Sequence, residues 1–236
     1  MRPHGILFSN LSDERNPSTD DDLPTKILAD TIERIGPKRI LPARQWMQCA
    51  LTATLRPSDV CLTFDGSHRW QYETALPVLQ SFGLTAFWFV NTGVCEGQVE
   101  PAKENLRIAK PTIARASIKR SGPNRKLWMG NDDLKNLHSL GHVIGLHSHT
   151  RPARMDLLPI ESQQAEYEKN FSYLANLLGE SPQTMSHPCN SYNRDTLSIL
   201  RQMGIVLGFR ANMMPGRSEL EYPREDYAML VKAMAA

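Results

Sequence analysis

The chain has 236 residues, of which 41% are hydrophobic and 22% charged, as in an ordinary soluble globular protein with length enough to bury a core without disulfides or structural metal. Its formal net charge of +2 excludes a strong field toward nucleic acid or an acidic membrane. No run approaches the roughly eighteen apolar residues that span a bilayer.

Four cysteines, Cys49, Cys61, Cys95 and Cys189, include no CxxC pair, which argues against a zinc knuckle or a thioredoxin-like motif. The basic cluster from Lys119 to Lys126 reads as a solvated loop. Met1 to Phe8 holds only a short apolar stretch and a polar run follows at once. That is no signal-peptide pattern, so a cytoplasmic location is the default expectation.

In chain order, Gly5 to Phe8 reads as a first strand and Ser9 to Asp22 as a loop. Leu23 to Ile35 places Ile27, Leu28, Ile32 and Ile35 near helical spacing and stops at Gly36-Pro37. Arg39 to Leu41 reads as a short strand and Ala43 to Leu51 as a helix. Val60 to Phe64 is a buried-strand pattern that delivers Asp65 at its end, with Cys61 as a buried thiol. Tyr72 to Phe82 predicts a helix closed by Gly83. Thr85 to Val90 predicts a strand with Trp88 in the core. Asn91 to Arg125 is a long excursion with one helix around Glu104 to Ile118.

Asn131 is placed to cap a helix over Asp132 to Leu140, closed by Gly141. Val143 to Leu146 is a strand that delivers His147. A long amphipathic helix spans Pro159 to Leu178, and Thr184 to His187 is short and extended, ending at Pro188. A helix from Arg194 to Met203 and a strand from Ile205 to Phe209 follow. A last helix covers Leu230 to Met234. Strands alternating with helices predict a parallel sheet wrapped by helices. About seven such units suit a barrel as readily as an open sheet, and no linker divides residues 1–236 into two domains.

Polar side chains collect just after strands: Asp65, then His147 and His149, then His187. In parallel α/β folds ligands bind at that edge. His147-Ser148-His149 is the densest group. In an extended segment i and i+2 point the same way, so both imidazoles can face one divalent ion, with a carboxylate as companion. The same histidines can also simply hydrogen-bond at a strand end, and Asp65 can simply cap the next helix.

Three segments then resemble the polysaccharide deacetylase (NodB-homology, carbohydrate esterase) family. Leu62-Thr63-Phe64-Asp65-Gly66, followed by Tyr72 to Leu79, is similar to its first motif. Gly141 to Pro152 is similar to the second, and Ser186 to Leu197 to the third. The order and spacing agree from Gly5 to Tyr227. The resemblance implies a distorted (β/α) barrel of about seven units. It implies a hydrolase of carbon–nitrogen or ester bonds that removes acetyl groups from N- or O-acetylated sugars of a surface glycan or its precursor. It also implies a divalent metal, often zinc, held by an Asp and two His, with a preceding Asp as general base.

Residue by residue, the carry-over is partial. Asp65 matches the general base and His147 the first metal histidine. The metal-ligating Asp falls on Gly66 and the second metal histidine on Arg151, a permanent cation. Ser186 stands where many members carry an arginine, and Tyr227 stands where a histidine is expected. His149, His68 and His187 are the candidate replacement ligands. His187, Pro188 and Tyr192 fall on the turn that lines the family's substrate groove. Arg151 is suited to a carboxylate or phosphate where the metal would sit. Two readings follow: a metal-dependent deacetylase, or a catalytically silent domain of this type that binds carbohydrate or a partner.

Overall fold

The structure, a computed structural model, describes residues 2–8, 23–95 and 128–230. Strands β1 (His4–Phe8), β2 (Val60–Asp65), β3 (Phe87–Val90), β4 (Val143–Leu146), β5 (Thr184–Ser186), β6 (Leu207–Phe209) and β7 (Arg224–Asp226) form one sheet in the order β6-β5-β4-β3-β2-β1-β7. All pairings are parallel, from His4↔Val60 in β1–β2 to Ser186↔Phe209 in β5–β6. The two edges then meet. Tyr222 bridges Phe209 in parallel, its N–H donating to the Gly208 carbonyl at 2.8 Å and its carbonyl accepting from Arg210 at 2.9 Å. The sheet therefore rolls into a nearly closed barrel, as the strand–helix alternation predicts.

Helices α1 (Leu23–Ile35), α2 (Ala43–Leu51), α3 (Arg69–Ser81), α4 (Thr92–Cys95), α5 (Asn131–Ser139), α6 (Ile160–Leu178) and α7 (Arg194–Gln202) complete the described elements. Most lie where the sequence predicts. Differences have local causes. Pro37–Arg39 forms a 3₁₀ turn, and only Ile40 bridges Val60, because a proline fixed at φ near −65° favours a turn over a ladder. Helix α3 starts three residues before the expected Tyr72, and Pro77 lies inside it. At α5 the N-cap is Gly130, not Asn131, and the Asp133 carboxylate accepts the Gly130 N–H at 2.9 Å. Strand β7 is not anticipated at all. The expected loop over Ser9 to Asp22, the helix around Glu104 to Ile118, the basic cluster and most of the closing helix lie outside the described residues; residues 227–230 are helical.

Period-two alternation sorts the strand side chains. Ile6, Phe8, Leu62, Phe64, Trp88 and Val90 face outward into the layer shared with the helices. Cys61, Phe87, Phe89, Leu207 and Phe209 face inward. Trp46 of α2, fully buried, plugs that interior and meets Phe87 edge-on with centroids 6.2 Å apart. Thr63 and Asp65 continue the inward column of β2 from Cys61 up to the carboxyl ends of the strands. The same two-residue period that packs the core thus aims Asp65 into the mouth of the barrel.

Candidate functional site

Asp65 is buried and held by two side chains. Arg224 of β7 grips it with a two-pronged fork, NH1 to Oδ1 at 2.6 Å and NH2 to Oδ2 at 2.7 Å. The Ser186 hydroxyl donates to Oδ2 at 3.0 Å and accepts from Arg224 NH2 at 2.7 Å. The remaining guanidinium protons go to the Arg210 carbonyl at 2.6 Å and to Thr63 Oγ1 at 3.2 Å. All five donors of a fully buried arginine are therefore matched. Its guanidinium also lies 5.8 Å from the Phe89 ring centroid and 5.9 Å from that of Phe209. Gly5 makes the route possible, since a Cβ there would stand 3.0 Å from Arg224 Cγ.

Burial alone would raise the Asp65 carboxyl pKa. The Arg224 charge outweighs it, with help from His147 and the Ser186 hydroxyl, and holds the group at about 2. Asp65 is thus a firmly ionised carboxylate.

His147 stands beside it. Its Nδ1–H donates to the Ser186 carbonyl at 3.0 Å, which leaves a lone pair on Nε2, and that atom is buried with no hydrogen-bond partner. Burial pushes the imidazole down to about 4; Asp65 opposes this, and Arg151 and Arg224 add to it. Helix α6 sets the ring's position. Asn170 accepts the His147 N–H at 2.9 Å and donates to the Val90 carbonyl at 3.0 Å, tying β3 to β4 at their carboxyl ends. One turn earlier, Glu166 takes the Thr150 N–H at 2.8 Å and its hydroxyl at 2.6 Å.

His149 does not join His147. Ser148 between them has φ +61°, so the segment is not extended and the i, i+2 rule fails. The His149 ring instead meets Thr92 Oγ1 through Nδ1 at 3.0 Å. His187 is also engaged elsewhere. Its Nε2–H donates to the Leu220 carbonyl at 2.9 Å, and its ring stacks on Tyr192 with centroids 3.9 Å apart. Tyr192 donates its hydroxyl to Glu221 at 2.8 Å. Pro188 is buried at the start of the turn Pro188–Asn190. Tyr227 follows β7 and stacks on Phe8 at 5.2 Å.

Gly66 has φ +95°, and a Cβ there would meet the His68 ring at 3.5 Å. His68 therefore fills the space above the glycine, with the Trp128 ring tilted against it at a centroid distance of 4.4 Å. Burial, then the nearby charge of Arg151, lowers His68 to about 4.

The polysaccharide deacetylase family profile matches residues 52–208. The chain belongs to the polysaccharide deacetylase family. No curated protein sequence matches it. Similar solved structures include IcaB from Ammonifex degensii, with 18% identity, TM-score 0.68, and 100% of this chain and 97% of that chain covered. The Streptococcus pyogenes deacetylase PplD in complex with acetate has 18% identity, TM-score 0.66, and 99% and 96% covered. The BpsB deacetylase domain from Bordetella bronchiseptica has 18% identity, TM-score 0.66, and 95% and 94% covered. At that identity the likeness speaks for the fold.

Members of the polysaccharide deacetylase family typically use a divalent metal, and the described side chains are not arranged to fit one. Among the described residues no group of three or more His, Cys, Asp or Glu is gathered to hold an ion. Both Asp65 oxygens belong to Arg224, His149 and His187 are turned to other partners, and the cation Arg151 occupies the second-motif position. Among the described histidines, His147 Nε2 and His187 Nδ1 carry buried lone pairs without a hydrogen-bond partner. The charge partner of Asp65 is Arg224 of β7. Sequence reasoning missed Arg224, Asn170 and Glu166. The signal available for the first was chemical: Ser186 leaves a buried Asp65 without a counter-charge, so a basic residue from another strand has to provide it.

Proposed function

We propose that this chain is a carbohydrate-binding domain on the deacetylase scaffold that has given up metal-dependent hydrolysis. One observation carries the reading: the carboxylate of Asp65 is consumed by the Arg224 fork. A general base works best with a pKa near the operating pH. A carboxylate held at about 2 is a weak proton acceptor at neutral pH. Partly exposed aromatic side chains suited to hold sugars remain: Tyr192, stacked on His187, and Trp128, tilted against His68.

A second reading, a metal-dependent deacetylase acting on an N- or O-acetylated sugar of a surface glycan or its precursor, is favoured by the buried lone pair on His147 Nε2. It requires a further ligand to come to the same point as His147 Nε2, since no group of three or more His, Cys, Asp or Glu is gathered among the described residues. Metal analysis of the purified protein, with acetate release from acetylated amino sugars in the presence of added zinc or cobalt, separates the two. The silent reading expects no stoichiometric metal and no acetate. Stoichiometric zinc with turnover that disappears in Asp65→Asn would replace it by the second. The double variant Gly66→Asp, Arg151→His is expected to gain zinc binding, because it restores two donors beside His147.

A further inference from the structure

We propose that a cavity at the amino end of the barrel, beside the last turn of α2, is a binding site for a small organic ammonium ion with an apolar body. It lies toward the opposite end of the strands from Asp65 and does not depend on the carbohydrate-binding reading above.

The first observation is the cavity itself. It has a volume of about 480 Å³ and is shared by α2, β6 and the segment from Gly216 to Tyr222, a size ordinary for small-molecule sites. Leu207, on its wall, is the first residue of β6 and so marks the amino end of that strand. Leu207 and, from α2, Ala50 and Leu51 supply hydrocarbon, while Tyr222 supplies an aromatic ring and a hydroxyl. Leu51 is half-exposed, which gives the cavity an apolar edge toward solvent. The surroundings are firm. Tyr222 stands edge-on to the fully buried Trp46, with centroids 5.0 Å apart. The Gly208 N–H donates to the Glu219 carbonyl at 2.9 Å, which ties the 216–222 segment to β6.

The second observation is the sign of the charge. Glu219 lines the same cavity, and among the described residues its carboxylate has no hydrogen bond or ion pair. No described Lys, Arg or His lines the cavity. The last turn of α2 also carries no basic residue. A helix ends in carbonyls without intrahelical partners, at the negative pole of its dipole. Ala50 and Leu51 bring that pole to the same cavity as the Glu219 carboxylate. Burial, together with the Glu219 charge, pushes the Tyr222 phenol up, in keeping with a negative potential there.

Two sources of negative potential thus stand beside hydrocarbon and an aromatic ring. An anion is repelled by both sources, and a neutral molecule gains only the apolar contact. An ammonium ion on an apolar body gains all of these at once.

Methyl NMR titration of the full chain at neutral pH tests this with phenylethylamine, phenylethanol, phenylpropanoate and, as an ammonium ion on a polar body, glucosamine. The expected result is saturable shifts at the Leu51 and Leu207 methyls, with the amine binding about fivefold or more tighter than the alcohol. The carboxylate should give no saturable shift, and glucosamine should bind more weakly than phenylethylamine. Glu219→Gln should cut the preference for amine over alcohol by about half or more. Leu51→Lys, which sets a resident ammonium at the edge, should weaken the amine more than the alcohol. Both residues are exposed, so neither change threatens the fold. Equal binding of amine and alcohol by the unaltered protein overturns the ammonium ion as ligand, and glucosamine binding as tightly as phenylethylamine overturns the apolar body. Shifts confined to methyls away from Leu51 and Leu207, or no saturable shift with any ligand, overturn the site.

Discussion

Asp65 and Arg224 are the residues on which the mouth of the barrel depends. A charged arginine with no exposed surface is tolerable only because its five donors and its charge are answered at once. Asp65→Asn keeps the shape and removes the charge. Breaking one partner of a buried pair costs about 3–5 kcal/mol, and in a protein of this size each kcal/mol moves Tm by about 2–4 °C. We expect Asp65→Asn to lower Tm by about 6–20 °C in a thermal melt at pH 7, even though the residue lies where a hydrolase would keep its base. A change below about 2 °C would mean that the fork contributes little to folding. The identity of this pair was half legible: Asp65 stands out at a strand end, but Arg224 is 159 residues away in sequence within a charged tripeptide, Arg-Glu-Asp, that shows no apolar alternation. Its strand exists because pairing with β1 closes the barrel, a cause no local window contains.

Elements were more legible than their partners. The bounds of α1 and α2 coincide with those read from periodicity and from Gly36-Pro37, since amphipathic spacing and helix stops are local properties. What the spacing could not show was how an element sets a site. His147 and His149 are expected on one face only if the backbone stays extended, and the φ of +61° at Ser148 ends that condition. The cause lies on α6, whose Glu166 and Asn170 draw the 147–150 loop onto the helix. Both point to the same face because residues four apart stack along a helix. Asn170→Ala removes one donor to the Val90 carbonyl and one acceptor of the His147 N–H, which keep each other at 3.2 Å, at a cost of about 0.5–1.5 kcal/mol for each bond lost. We expect a fall in the urea midpoint without a change in m, together with faster amide exchange at residues 147–150. Unchanged exchange there would show that Glu166 alone fixes the loop.

At the scale of the whole molecule, the histidines buried by the barrel and its helices govern behaviour in acid. His68, His142 and His147 are held at about 4 and His187 at about 3, in each case chiefly by burial. His142, His147 and His187 also have hydrogen-bond arrangements that suit the neutral ring. His142 Nδ1 accepts from the Ala86 N–H at 3.0 Å and from Trp88 Nε1 at 3.2 Å, so a proton on that nitrogen would break both bonds. In the unfolded chain these side chains titrate near pH 6.5. Between about pH 6.5 and 4 the unfolded state therefore binds more protons than the folded one, and stability falls as pH falls. Four such groups give a slope of up to about 5 kcal/mol per pH unit, against a total stability on the order of 5–15 kcal/mol. Asp65, whose folded value of about 2 lies below its unfolded one, adds a second loss only as pH drops from about 4 toward 2. The protein should consequently unfold in acid while most of its carboxylates are still ionised, with its midpoint between about pH 4 and 5.5. Urea unfolding at pH steps from 7.5 to 4.5 measures this directly. His142→Gln should reduce the slope by about one quarter, the share of one proton in four. A stability that stays flat from pH 7 to 5 would show that the rings gain protons in the folded state as readily as in the unfolded one.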